Sequence, residues 1–301
     1  MGHSGHHHAG DLNRADSRRR LTLVLVLTAV FAVAELAGGI LTGSLALIAD
    51  AGHMLSDSAS LLLALVAVWL AGRPTSDTRT FGFQRAEILA ALVNGIALVA
   101  ISAWIFYEAV GRLPDPPDVD AGPMLAIAAL GLGVNLLAAR ILMRAAGKSL
   151  NMQAAYRHVL ADLLASVGVI VAAGVILATD WLEADPIVSI VVGLLILASA
   201  WGVIRDSGRV LMEVAPEGLD ARTIGERMAA VEGVVEVHDL HIWTITSGFP
   251  ALSAHVIVEH DDDCHQRRLE LGEMLRVEYG LDHTTLQVDH EERPGLLQLD
   301  S

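Results

Sequence analysis

Two pairs of residues with the spacing His-x-x-x-Asp lie in long apolar segments of the sequence. The first pair is His53 and Asp57, and the second pair is His158 and Asp162. On a helix, residues four apart share a face, so each pair would present an imidazole next to a carboxylate. Two nitrogen and two oxygen ligands suit a divalent ion of the zinc type. Ionisable groups are costly inside a membrane, so a functional role is expected for them there.

The apolar segments are long enough to cross a bilayer, which requires ~20 residues for ~30 Å of hydrocarbon. Of the 301 residues, 53% are hydrophobic and only 18% are charged, and the mean hydropathy is +0.51. These values are typical of an integral membrane protein rather than a soluble enzyme. The sequence predicts six transmembrane helices, at 21–41, 44–71, 85–111, 122–146, 150–179 and 186–205.

The basic residues of the short loops predict the orientation of these helices. Twelve arginines and lysines would lie on one side of the membrane, whereas only Arg112 lies near the loops of the other side, among six acidic residues. Short cytoplasmic loops carry the excess of basic residues. We therefore expect a multi-pass protein of the plasma (inner) membrane with both termini in the cytoplasm.

The two His-x-x-x-Asp pairs would lie at one depth. At ~1.5 Å per residue, His53 and Asp57 lie ~13 and ~19 Å from the outer end of their helix. His158 and Asp162 lie ~12 and ~18 Å from the cytoplasmic end of theirs. Both pairs then straddle the middle of the bilayer on antiparallel helices. The alternative is that each histidine only packs and each aspartate only caps a helix, but the matched depth argues against it.

Other polar residues fall in the apolar segments. Asp50 is either a vestibule residue or a supporting partner of the histidine one turn later. Glu35, Asn94 and Asn135 are expected to form hydrogen bonds between helices, and the small residues at 37–39 permit close approach of a neighbouring helix.

The chain is predicted to have four parts. The first is a disordered tail whose histidines either bind metal weakly or have no role, and the last is a loose tail. Between them lie the transmembrane domain and an acidic domain, which belongs to a segment (212–301) with 19 acidic and 6 basic residues. Such an excess of negative charge argues against nucleic acid as a partner. The parts are 1–20, 21–209, 212–292 and 293–301.

The acidic domain has the order α-β-β-α-β, which suits a small α+β fold. Asp220 is a plausible N-cap of the first helix, and Gly280 is expected to end the second. Cys264 is the single cysteine, so the chain forms no intrachain disulfide. The predicted elements are 220–231, 234–246, 252–258, 263–279 and 283–289.

Four segments resemble motifs of the cation diffusion facilitator family of divalent-metal/proton antiporters. Residues 43–57 are similar to the signature of its second span, 81–95 to the entry of its third span and 154–162 to its fifth-span motif. Residues 237–243, Val-His-Asp-Leu-His-Ile-Trp, are similar to the motif of its soluble domain. The resemblance implies six transmembrane helices, a C-terminal cytoplasmic ferredoxin-like domain, a homodimer and alternating access.

The resemblance also implies which residues bind metal. His53, Asp57, His158 and Asp162 match the transport site of members that move zinc, often with cobalt or cadmium. In the cytoplasmic domain the implied ligands, near the dimer contact, are His238, His255 and His265, with weaker matches at His283 and Asp289. The alternative is that these histidines bind no metal and lie either in solvent or in the core of the domain. Some relatives bind an accessory ion through histidines of the loop at 72–87, which contains none here.

The expected function is export of cytosolic Zn²⁺ in exchange for protons, with Zn²⁺ also a regulatory ligand of the cytoplasmic domain. One alternative is a membrane-anchored metal sensor that does not transport. Another is an intramembrane metalloenzyme, which usually keeps an open coordination position and a general base. Because four ligands would close the shell here, we do not expect an enzyme.

Overall fold

The computed structural model describes residues 6–71, 73–146 and 150–291. They form two compact units: one comprises the residues up to Ala64 together with Val93–Val203, and the other comprises Leu65–Leu92 and the residues from Ile204 onwards. The elements, in chain order, are α1 (His6–Thr42), α2 (Leu45–Ala71), α3 (Ala86–Arg112), α4 (Ala121–Ala146), α5 (Leu150–Thr179), α6 (Ala184–Leu211), α7 (Ala221–Ala229), β1 (Val234–Thr246), β2 (Phe249–Val258), α8 (Cys264–Tyr279) and β3 (His283–His290).

Five helices contain a stretch that is long and apolar enough to cross a membrane, judged on the described residues alone. They lie in α1, α3, α4, α5 and α6, and the longest stretch is the 28 residues of α6. The prediction of a helical membrane domain is therefore confirmed. α2 has 27 residues, but several of its side chains lie outside the described residues, so the sixth span stays a prediction.

α1 begins at His6 and therefore includes most of the segment for which the sequence predicts a disordered tail. Residues 11–20 contain leucine, alanine and four arginines but no glycine or proline. These are good helix formers, so the helix of the first apolar stretch continues towards the N-terminus. The side chains of His6–His8 lie outside the described residues, and metal binding by them stays a prediction.

α2 and α5 run antiparallel in the first unit. Ala46 and Leu47, at the start of α2, share a buried cluster with Ala173 and Ile176 near the end of α5. One turn further along α2, Ala49 shares a second cluster with Ala165. Residue numbers at these contacts thus increase along α2 as they decrease along α5. This is the antiparallel arrangement predicted for the helices that carry the two His-x-x-x-Asp pairs.

The carboxylate of Asp185, at the start of α6, caps the N-terminus of α2. The backbone N–H groups of Leu45 and Ala46 donate to it at 2.8 and 3.2 Å, and the Ser44 hydroxyl donates at 2.5 Å. The first N–H groups of a helix lack partners within the helix and favour a negative charge nearby. Asp185 is buried, so this contact fixes where α2 begins.

The C-terminal domain has the predicted order α-β-β-α-β. β1 pairs antiparallel with β2, and β2 pairs parallel with β3. Asp220 accepts a hydrogen bond from the Thr223 N–H, and Asp263 caps α8 in the same way. Gly280 ends α8 with a φ of 68°, in the left-handed region that favours glycine. One face of the sheet packs against α7 and α8 through Ile224, Met228, Val256, Leu271 and Leu275.

We expect Asp185→Asn to lower the free energy of unfolding by about 1–3 kcal/mol, because an amide NH₂ would face a backbone N–H or a hydroxyl that needs an acceptor. Thermal unfolding of the purified protein in detergent measures the effect. Asp180→Asn is the matched control, since Asp180 is exposed and its φ of 54° suits asparagine. Equal melting temperatures for the two variants would contradict a structural role of the cap.

Candidate metal site

Three of the four predicted membrane ligands come together between α2 and α5. The Nε2 atom of His53 lies 3.6 Å from Asp57 Oδ2 and 3.6 Å from Asp162 Oδ1. The ligand atoms of the three side chains all lie within 4.8 Å of one another. Two ligands of one tetrahedral zinc ion are about 3.3 Å apart, so little movement would bring these atoms onto one ion.

The fourth predicted ligand, His158, lies on α5 one turn before Asp162. Residues four apart lie on one helix face. The side chain of His158 is outside the described residues, so its part in the site stays a prediction. Within the part of the chain that the structure describes, no other group of three or more histidine, cysteine or acidic side chains meets the same spacing.

Hydrogen bonds between buried polar side chains surround the site. The amide of Asn135 on α4 donates to the hydroxyl of Ser166 on α5 at 3.2 Å. That hydroxyl lies 3.1 Å from the Asp162 carbonyl oxygen and 3.4 Å from Asp50 Oδ2. The network ties α2 to α5 next to the candidate ligands.

A second hydrogen bond joins α2 to α3. The hydroxyl of Ser56, the residue before Asp57, donates to the side-chain oxygen of Asn94 at 3.1 Å. Asn94 and Asn135 thus form the interhelical hydrogen bonds that the sequence predicts. Glu35 does not follow that prediction: it is buried, but its Oε2 atom has no hydrogen-bond partner among the described residues.

The sequence analysis did not predict the hydrogen bonds of Ser56 and Ser166, nor the cap that Asp185 forms. Ser56 and Ser166 each lie beside a candidate ligand, in helical register with the His-x-x-x-Asp pairs. That position is the only sequence signal that would have suggested them. Asp185 gives no such signal, because the groups it contacts are about 140 residues away.

In the C-terminal domain, two of the five implied ligands are neighbours. His238 and His255 face each other across β1 and β2, with ring centroids 5.4 Å apart. The imidazole of His241, hydrogen-bonded to Asp239 at 2.9 Å, lowers the pKa of Asp239, and the charges of the two facing histidines act in the same direction. An ionised carboxylate therefore lies close to this pair.

The other three implied ligands lie elsewhere in the domain. His265 is in the first turn of α8, and His283 packs edge-on against Phe249 at the start of β3. Asp289 accepts a hydrogen bond from Gln287 at 2.8 Å. A single chain does not assemble the five into one group among the described residues, and their role as ligands stays a prediction.

Comparison with known protein families gives a match for each of the two parts of the chain. Residues 21–212 match the family model described as the cation efflux transmembrane domain, and residues 216–291 match the model for the cation efflux protein cytoplasmic domain. The chain belongs to the cation efflux family. This is the family of metal transporters that the four motifs resemble.

Several cation efflux proteins are similar over nearly their whole length. A zinc transporter ZitB from Escherichia coli is 43% identical over 295 residues, which cover 97% of this chain and 93% of that protein. A cadmium, cobalt and zinc/H(+)-K(+) antiporter from Bacillus subtilis is 43% identical over 294 residues, covering 95% and 92%. The solved metal-bound C-terminal domain of the CzcD transporter from Cupriavidus metallidurans is 34% identical, over 23% of this chain and 97% of that domain, with a TM-score of 0.22.

The Ser166 hydroxyl is expected to hold the polar network of this cation efflux protein together. We expect Ser166→Ala to lower the free energy of unfolding by about 1–3 kcal/mol, because it leaves the buried Asn135 amide without an acceptor. Adding Asn135→Leu should restore part of the loss, which thermal unfolding of a double-mutant cycle measures. The matched control is Ser189→Ala, which removes a buried hydroxyl bonded only to a carbonyl oxygen of its own helix. Equal losses for the two serine variants would refute the network.

Proposed function

We propose that this chain exports Zn²⁺ from the cytoplasm in exchange for protons. One observation carries the proposal: an imidazole and two carboxylates, of His53, Asp57 and Asp162, converge inside an apolar helical domain. Polar groups are expensive in hydrocarbon and are retained there when they bind or move something. The zinc-transporting relatives, similar over nearly the whole chain, support the same cargo.

The site is proposed to bind zinc through four ligands, two from each helix. Three are the side chains that the structure brings together, and the fourth is His158, one turn from Asp162. Nitrogen and oxygen ligands in tetrahedral arrangement suit Zn²⁺, and Co²⁺ accepts the same set. The names of the relatives include cadmium and cobalt, so we propose these ions as further cargoes.

Proton coupling follows from the chemistry of the ligands. Imidazole and carboxylate bind a metal ion only in their deprotonated forms, so protons and metal compete for the same atoms. When the site faces the cytoplasm, zinc displaces protons. When it faces the more acidic outside, protons displace zinc. The proposed alternation is a movement of helices around the site, which lies between α2 and α5.

We further propose six spans, with α2 as the sixth, and an inner-membrane location with both termini in the cytoplasm. The unequal distribution of loop arginines and lysines supports this orientation. The cytoplasmic domain is proposed to form a homodimer and to bind regulatory zinc through His238, His255, His265, His283 and Asp289. Metal shared at a dimer contact would bias the transport equilibrium by stabilising one arrangement of the domains.

Zinc flux into proteoliposomes with an imposed pH gradient tests the proposal. The wild-type protein should accumulate zinc in proportion to the gradient, and Asp162→Ala should reduce flux to the level of empty liposomes, because it removes a buried ligand. Asp115→Ala is the matched control, since Asp115 is exposed. Wild-type flux in a folded Asp162→Ala protein would refute the site. Zinc binding without flux in the wild-type protein would instead indicate a membrane-anchored sensor.

His53 is expected to set the preference for zinc over harder ions. In His53→Asp the site loses an imidazole nitrogen and becomes rich in oxygen, which suits Mn²⁺ better than it suits Zn²⁺. The ratio of Mn²⁺ to Zn²⁺ flux should rise several-fold. His241→Asp, a change of the same kind at an exposed histidine, should leave the ratio unchanged. An unchanged ratio in His53→Asp would exclude His53 as a determinant of selectivity.

A further inference from the structure

The second of the two compact units contains a cavity of about 810 Å³. One wall is the segment that joins α2 to α3, which contributes Arg79 and Gln84. The other wall is the sheet of the C-terminal domain, which contributes Trp243 on β1 and Ser253 on β2. Sites for small molecules usually enclose about 300–1,000 Å³, so this cavity is large enough to bind one.

The charges in the wall of the cavity leave one arginine without an acidic partner. Among the described residues, Glu213 is the only acidic side chain of the lining, and it pairs with Arg85 at 2.8 Å. Arg79 forms no ion pair with a described acidic side chain. The lining therefore has a net positive charge, although the domain that forms one wall is acidic. A positive cavity favours an anionic ligand.

The Arg79 side chain is held in a position from which it can donate to such a ligand. Its guanidinium lies over the ring of Phe83, with the central carbon 4.5 Å from the ring centroid. An aromatic ring below the guanidinium leaves the N–H groups in its plane free to donate. The backbone is fixed as well: the Arg79 N–H donates to the Ser76 carbonyl oxygen at 2.9 Å, and the Gly82 N–H donates to the Arg79 carbonyl oxygen at 2.9 Å.

Uncharged polar groups of the wall suit a ligand that carries both a phosphate and hydroxyl groups. The hydroxyls of Thr78, Thr80 and Ser253 line the cavity and can donate to phosphate oxygens. The Oε1 atom of Gln84 is buried and has no hydrogen-bond partner among the described residues. A buried acceptor without a partner is costly, and a hydroxyl group of a ligand would satisfy it.

The cavity lies at the depth of the lipid headgroups. The membrane-spanning stretch of α3 begins at Ala86, and Arg85, in the wall, comes directly before it. At the end of α2, the ring of Trp69 is exposed, and the Arg73 guanidinium lies 4.1 Å from its centroid. Tryptophan is enriched where a span meets the headgroups, and basic residues follow on the cytoplasmic side.

An apolar side chain continues from the cavity towards the hydrocarbon. The Leu89 N–H donates to the Arg85 carbonyl oxygen at 3.1 Å, so Leu89 lies one helical turn beyond the wall and on the same face. Its side chain is 51% exposed. A ligand with its phosphate in the cavity could therefore lay an acyl chain beside the start of α3.

We propose that this cavity binds the headgroup of an anionic phospholipid, of which phosphatidylglycerol is an example. The phosphate accepts hydrogen bonds from Arg79, a headgroup hydroxyl donates to Gln84, and the acyl chains pass Leu89 into the membrane. A free phosphate ester offers the same charged group, but the headgroup depth and the exposed leucine favour the lipid. Basic pockets beside membrane spans bind anionic headgroups in this way. The bound lipid would join the α2–α3 segment to the sheet.

Native mass spectrometry of the full-length protein in detergent tests the ligand class. The first phosphatidylglycerol should bind several-fold more tightly than the first phosphatidylcholine, whose headgroup has no net charge. An excess of inorganic phosphate should leave the bound phosphatidylglycerol in place. Equal affinities for the two lipids would overturn the anionic site, and displacement by inorganic phosphate would overturn the lipid as its ligand.

Variants locate the bound lipid. Arg79→Gln should weaken binding of the first phosphatidylglycerol by about fivefold, the contribution of one basic residue beside anionic lipid. Arg268→Gln is the matched control, since Arg268 is an exposed arginine of α8 that does not line the cavity. Wild-type affinity in an Arg79→Gln protein that keeps its melting temperature, or an equal loss in the control, would overturn the site.

Gln84→Leu tests the contact with the headgroup hydroxyl. It should weaken binding of phosphatidylglycerol but not of phosphatidic acid, which carries the phosphate without the glycerol hydroxyls. Because both lipids are compared on the same variant, a general disturbance of the cavity would affect both. An equal loss for the two lipids would therefore contradict the hydroxyl contact.

Discussion

Ionisable groups inside an apolar bundle need partners, and this need constrains how the helices of the membrane domain pack. Asp162 and His53 lie 3.6 Å apart on two different helices, and neither could remain in an apolar bundle without the other or a substitute for it. This requirement determines which faces of α2 and α5 meet. The serine and asparagine side chains around the site are paired in the same way: Ser56 bonds to Asn94 and Asn135 bonds to Ser166.

The same requirement acts at the start of α2. Asp185 accepts hydrogen bonds from the first N–H groups of that helix and so fixes its first turn relative to α6. His53 follows about two turns later. A shift of α2 by one residue would rotate the histidine by about 100° away from α5, so a contact far from the site along the chain preserves the geometry of the site. Metal ligands must be held within fractions of an ångström, and such remote support supplies that precision.

Local features of the sequence were sufficient to predict much of the fold. Asp220 caps the start of α7 and Gly280 ends α8, as predicted, because capping depends on residue types within one turn. β1 has its predicted bounds, because β-branched residues are frequent along it. The partners of Asp185 and Ser166 were not predictable, since each contact joins residues far apart in sequence. The parallel pairing of β3 with β2 was not predictable either, because the pattern of a single strand does not reveal its neighbour.

The ligands of the proposed transport site permit release of a metal ion as well as binding. Carboxylates and imidazoles exchange metal for protons over a modest range of acidity, as a transport site that must release its cargo on each cycle requires. A thiolate binds Zn²⁺ and Cd²⁺ more strongly because it is the softer donor. The ligand side chains that meet between α2 and α5, those of His53, Asp57 and Asp162, include no thiolate. Such a set holds an ion loosely enough for protons to displace it.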